Sequence, residues 1–157
     1  MDFNTQICTT REQSERLLAM GLKPETADMY VTNMSTKGMS YTDDWQIGSI
    51  SYTDVCRFWK EKGLKIEDTA WEIAPAWSLH RLLYMMPFNI YKCGGNMNFK
   101  LLPPFGDGVG YEKSRIHEAE DAVHFADSQN LFDNIISCYQ FLIKNGRINE
   151  SYLTKNT

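Results

Sequence analysis

The chain has 157 residues, of which 43% are hydrophobic and 13% aromatic, and its formal net charge is −4 at pH 7. This length and composition predict a single folded domain over residues 1–157 and exclude a disordered chain. Because the chain is mildly acidic and has no run of Lys or Arg, it lacks the charge that attracts a phosphate backbone. We therefore expect no nucleic-acid partner.

The N-terminus and the cysteines indicate the compartment. Residues 1–10 contain neither a positive leader nor an apolar run, and no stretch approaches the ~18 consecutive apolar residues of a membrane span. The cysteines occur singly, without the CxxC pairs of a zinc ribbon or a redox motif: Cys8, Cys56, Cys93 and Cys138. The sequence predicts a reduced, cytoplasmic protein with no membrane partner.

The beginning of the chain predicts two helices in a hairpin. Thr10 and Gln13 have the spacing of a capping box, in which each side chain binds the other residue's backbone N–H group. Gly21 is expected to end this first helix. A second helix is expected to begin at or just before Pro24, because proline suits the first helical position, and to reach Val31.

The middle of the chain predicts a loop and two further helices. Residues 34–50 are rich in Ser, Thr, Gly and Asp and lose the helical periodicity, which indicates a long loop. A third helix is expected over residues 51–62. A fourth begins at Trp77 or Ser78 and ends before Pro87, because a proline forces the preceding residue out of the helical region.

The rest of the chain predicts a sheet and a helix that covers it. Apolar residues alternate on both sides of the glycines at 94–95, which is typical of a β-hairpin. A turn over 103–108 and strands over 109–116 and 122–126 extend this sheet. Over 128–146, apolar residues recur at spacings of three, four and seven, which predicts an amphipathic helix. Asp127 or Ser128 is expected to cap its start, and Gly146 is expected to end it. The predicted fold class is α+β, with N-terminal helices and an antiparallel sheet of about three or four strands, covered by a C-terminal amphipathic helix.

One polar cluster has side chains that bind metal ions. On a helix, His117, Glu120 or Asp121, and His124 would share a face, and two imidazoles with a carboxylate suit zinc or ferrous iron. The spacing is not that of the HExxH motif, and the strand expected over 122–126 places His124 apart from His117. A solvated acidic turn is the alternative, and it requires no metal and no other cofactor.

A cysteine hydrolase is a further alternative, with Cys93 as nucleophile and His117 or His124 as base. The hairpin turn already explains the glycines that follow Cys93. Nothing in the sequence lowers the pKa of this thiol, so we expect no catalytic residue.

The four tryptophans and eight tyrosines exceed what a small core requires. Both residue types are frequent at protein interfaces. The predicted members of an exposed interaction surface are Tyr41, Trp45, Trp71 and Trp77. The alternative for each is a place in the core, where its polar atom needs a hydrogen-bond partner.

Four stretches resemble known sequences. They are residues 5–14 (TQICTTREQS), 21–29 (GLKPETADM), 75–79 (PAWSL) with Leu82 and Leu83, and 142–146 (LIKNG). They are similar to short uncharacterised proteins encoded in gut Bacteroidetes genomes, often in prophages and other mobile elements. This resemblance covers the two ends and the middle helix, and it implies a habitat but no activity.

These observations favour a small, non-enzymatic accessory protein of a mobile element that acts by protein–protein contact. Its partner is an unidentified protein, with a second copy of the chain as one option. Two alternatives stay open. They are a small metal-dependent hydrolase that uses the cluster of His117, Glu120, Asp121 and His124, and an inhibitor that presents acidic side chains in imitation of phosphates.

Overall fold

The computed structural model describes residues 6–34, 46–48, 50–63, 71–91, 98–105, 108–113 and 122–154. Within these ranges the chain has the predicted α+β fold, with four α-helices and two antiparallel sheets. The chain divides into two compact units, Met1–Arg81 and Leu82–Thr157. The single domain expected from the length stays a prediction. No helix of the described ranges is both long and apolar enough to cross a membrane.

The first unit contains two helices and a three-stranded sheet. Its helices are α1 (Arg11–Ala19) and α2 (Tyr52–Glu61), and a short 3-10 helix lies at Pro24–Thr26. Its strands are β1 (Met29–Met34), β2 (Gln46–Gly48) and β3 (Trp71–Ala76), in the order β2-β1-β3. A third helix, α3 (Leu79–Met85), spans the boundary between the two units.

Alternate residues of β1 and β3 form the core of the first unit. Val31 and Ala76 are buried together with Cys8, and Met29 and Ala74 pack against them. These strand residues share a face because Met29 pairs with Ala76 and Val31 pairs with Ala74. α1 packs against β3 and supports the same sheet.

The second unit contains a four-stranded sheet in the order β4-β5-β6-β7, with every pair antiparallel. The strands are β4 (Asn89–Tyr91), β5 (Asn98–Phe105), β6 (Gly108–Lys113) and β7 (Ala122–Phe125). The last helix is α4 (Leu131–Lys144), and a 3-10 turn follows at Glu150–Tyr152.

One face of this sheet is covered by α4. The register pairs Tyr111 of β6 with Leu101 of β5 and with Val123 of β7, so these side chains point to the same face. α4 packs against β6 and β7, and the rings of Phe125 and Phe141 lie 5.7 Å apart. We call this side the covered face.

Two buried tyrosines bind backbone carbonyls at the end of α3. The Tyr139 hydroxyl of α4 donates to the Leu82 carbonyl at 2.7 Å, and the Tyr111 hydroxyl donates to the Pro87 carbonyl at 2.8 Å. The N–H of Met86 binds the Leu83 carbonyl instead, so the Leu82 carbonyl lacks its partner from the next helical turn. Tyr139 therefore satisfies a buried acceptor that the helix leaves open.

The prediction of two N-terminal helices in a hairpin is wrong for the second helix. Pro24 begins only a 3-10 turn, and the chain then enters β1. Tyr30, Val31 and Thr32 are aromatic or β-branched, which favours a strand once β3 supplies a partner. The expected loop over 34–50 also contains a strand, β2.

The capping of the last helix differs in detail from the prediction. We expected Asp127 or Ser128 to cap it, but Asn130 accepts hydrogen bonds from the backbone N–H groups of Phe132 and Asp133. The helix ends as expected, because Gly146 has φ +61°.

Candidate functional site

The predicted metal cluster falls largely outside the part of the chain that the structure describes. His117, Glu120 and Asp121 lie outside the described residues. His124 is exposed on β7, on the side of the sheet opposite to the covered face. Among the described residues, no three His, Cys, Asp or Glu side chains converge as metal ligands.

Two buried thiols, those of Cys8 and Cys138, are unsuited to nucleophilic chemistry. Burial raises the pKa of the Cys8 thiol to about 11, with a smaller effect of the nearby Asp28 carboxylate. Burial also raises the pKa of the Cys138 thiol to about 12. A raised pKa keeps the thiol protonated, whereas a nucleophile requires the thiolate. Cys93 lies outside the described residues.

Trp77 belongs to the core and not to an interaction surface. Its side chain is fully buried, and its indole Nε1 donates to the Thr26 hydroxyl at 2.9 Å. Its backbone N–H donates to the Thr9 hydroxyl at 3.0 Å. The ring therefore cannot contact a partner, which corrects the prediction for this residue. Tyr41 and Trp45, and the side chain of Trp71, lie outside the described part of the chain.

Ser78 and Asp28 resemble part of a catalytic arrangement, but their hydrogen bonds are those of a helix start. The Ser78 hydroxyl and backbone N–H both donate to the Asp28 carboxylate, at 2.5 and 2.9 Å. The Ser78 hydroxyl also accepts from the Arg81 backbone N–H at 3.1 Å, as an N-cap does. The three bonds together hold the Ser78 hydroxyl as the cap of α3.

Six large apolar side chains of the described residues are strongly exposed: Ile7, Ile47, Ile50, Phe58, Tyr84 and Phe88. Ile50 lies at the start of a helix. It precedes the Ser51 cap of α2, and Val55 occupies the fourth helical position, which is the arrangement of a hydrophobic staple. Tyr84 and Phe88 are the most exposed of the six, at 67% each.

Phe88 extends the edge of the four-stranded sheet. Its carbonyl accepts a hydrogen bond from the Leu101 backbone N–H at 2.9 Å, so the pairing of β4 with β5 reaches this residue. By alternation Phe88 points to the same face as Ile90, which is 7% exposed. Phe88 thus points to the side of the sheet on which α4 packs, but it lies beyond the area that α4 covers.

We name this region the β4 edge surface, and it consists of Tyr84, Phe88, Asn89 and the outer backbone of β4. From Tyr84 to Tyr91 the chain contains no charged residue. Edge strands usually carry charges that prevent pairing with another chain, so an uncharged edge is open to association. This surface was not predicted from the sequence, because Phe88 follows the same alternation as a core residue.

Comparison with protein-family models, with curated proteins and with solved structures gives no match for this chain. The support for the candidate site therefore comes from the geometry of the described residues alone.

Proposed function

We propose that this chain is a small accessory protein that acts by contact with another protein through the β4 edge surface. The supporting observation is the 67% exposure of Phe88 at an uncharged sheet edge and of Tyr84, four residues before it in the chain. Aromatic side chains that are already held at the surface bury much apolar area on association. The outer backbone of β4 adds hydrogen-bonding groups that a partner strand can use.

The other parts of the proposal come from the sequence. We place the protein in the cytoplasm and among the accessory proteins of mobile elements, as the resemblance implies. No observation in the described ranges favours the metal-dependent hydrolase, because His124 is the only member of its proposed ligand set within them.

Co-purification from the source cells tests the proposal. The wild-type protein is compared with a double variant, Tyr84→Ser with Phe88→Ser, both tagged and made at native level. A control double variant, Ile47→Ser with Phe58→Ser, removes side chains of comparable exposure from the first unit. Co-expression of a second copy that carries a different tag separates self-association from binding of another protein.

We expect the first double variant to lose at least one associated protein that the control variant retains. The proposal is contradicted if wild type and both double variants retain the same proteins in the same amounts. Circular dichroism of each purified variant establishes that it is folded, and substitutions at such exposed sites are expected to change stability by only about 0.5 kcal/mol.

A further inference from the structure

The hydrogen bonds of β4 determine which of its backbone groups point outward. Phe88 and Leu101 lie opposite each other in the antiparallel register, and Leu101 donates to the Phe88 carbonyl at 2.9 Å. Hydrogen-bonded pairs alternate along an antiparallel ladder, so Ile90 is the next residue that bonds to β5. The N–H and C=O groups of Asn89 and Tyr91 therefore point away from β5.

No described strand pairs with this outer side, because β4 is the first strand in the order β4-β5-β6-β7. We propose that it pairs antiparallel with β4 of a second copy of the chain, about a two-fold axis at Ile90. Asn89 of each copy then lies opposite Tyr91 of the other, which forms four backbone hydrogen bonds. This inference rests on the proposed function, since it names the partner of the same surface.

The charge pattern favours a second copy over an unrelated strand. On a two-fold axis each charged side chain approaches its own counterpart, and like charges across paired strands are destabilising. β4 and the residues from Tyr84 to Tyr91 carry no charge, so the symmetric arrangement has no such repulsion. Pro87 has no N–H group, so the ladder between the two β4 strands ends at this residue.

The second copy also covers the exposed aromatic ring. In this register Phe88 is a diagonal neighbour of Ile90 of the second copy, on the same face of the joined sheet. Each Phe88 ring, which is 67% exposed in the single chain, gains an apolar neighbour. The two-fold symmetry gives each dimer two such contacts. A ladder of four hydrogen bonds with two rings is smaller than a standard interface, so we expect a weak dimer in rapid exchange.

Sedimentation velocity of the purified full chain over a wide concentration range tests this dimer. Asn89→Pro removes the outward N–H while leaving the bonds to β5, and it is compared with Asn89→Ser, which keeps the N–H. We expect wild type and Asn89→Ser to dimerise with the same affinity. Asn89→Pro weakens dimerisation about tenfold or more, because two hydrogen bonds are lost per dimer. Phe88→Ser is a second variant that leaves the backbone intact, and it is expected to weaken dimerisation as well.

A protein that stays monomeric at every concentration overturns the inference, as does a dimer that neither Asn89→Pro nor Phe88→Ser weakens. Either result leaves the proposed function standing if the Tyr84 and Phe88 double variant still loses a different protein in the co-purification. If the double variant loses nothing there while wild type is monomeric, both proposals fail.

Discussion

The Tyr139 hydroxyl offers a direct test of how the second unit is held together. Tyr139→Phe deletes the donor that binds the Leu82 carbonyl at 2.7 Å in a fully buried site. The ring stays in place, so the core loses no apolar volume and no cavity forms. The carbonyl becomes an unsatisfied buried acceptor, which costs about 1–3 kcal/mol. We expect the free energy of unfolding to fall by about 2 kcal/mol, and Tm to fall by about 4–8 °C for a chain of this size.

Urea unfolding followed by circular dichroism measures this loss, with an unchanged dependence on urea concentration expected for both proteins. Tyr152→Phe is the matched control. Its hydroxyl forms no hydrogen bond with the described residues, so its stability should stay within about 0.5 kcal/mol of wild type. If Tyr139→Phe costs no more than Tyr152→Phe, the Leu82 carbonyl does not depend on this donor and the reasoning is refuted.

Two further predictions concern buried groups. Thr26→Val keeps the volume but leaves the Trp77 indole N–H without its 2.9 Å acceptor, so we expect a loss of about 1–3 kcal/mol in urea unfolding followed by tryptophan fluorescence. An unchanged urea midpoint for Thr26→Val would contradict this prediction. Burial raises the thiol pKa values of Cys8 and Cys138 from 9.0 to about 11 and about 12. Above pH 9 the unfolded chain therefore releases protons that the folded chain keeps, and stability falls by about 1.4 kcal/mol per pH unit for each thiol. Cys138→Ala should reduce that slope by one thiol, and an equal slope for variant and wild type would refute this assignment.

Local signals in the sequence predicted several elements correctly. The capping box of α1 is present, with the Gln13 backbone N–H bound to the Thr10 hydroxyl and the Thr10 backbone N–H bound to the Gln13 side chain. The same holds for α2, for the end of α4 at Gly146 and for the strand that contains Tyr111, which follow from short-range patterns. In each case the signal and the structure it specifies lie within a few residues.

The sheet of the first unit depends on distant partners, and its strands were missed. β1 pairs with β3 across about forty residues, and nothing near Pro24 in the sequence signals that pairing. Pro75 lies within β3 and disfavours a strand on local grounds, but β3 is the last strand in its sheet order, where a proline is tolerated. The interaction surface was missed for a related reason. Periodicity assigns Phe88 to a face, but it does not say how far α4 extends over that face.

Photo-crosslinking at position 88 tests the central claim most directly. Benzoylphenylalanine replaces Phe88 in one version of the protein and Phe58 in another, and both are irradiated in cells that make the protein at native level. We expect a strong crosslink from position 88, with mass spectrometry placing the partner peptide in a second copy or in another protein. We expect a weaker crosslink from position 58, which is 52% exposed in the first unit. A yield at position 88 no higher than at position 58 would show that the β4 edge surface is not where this protein meets its partner.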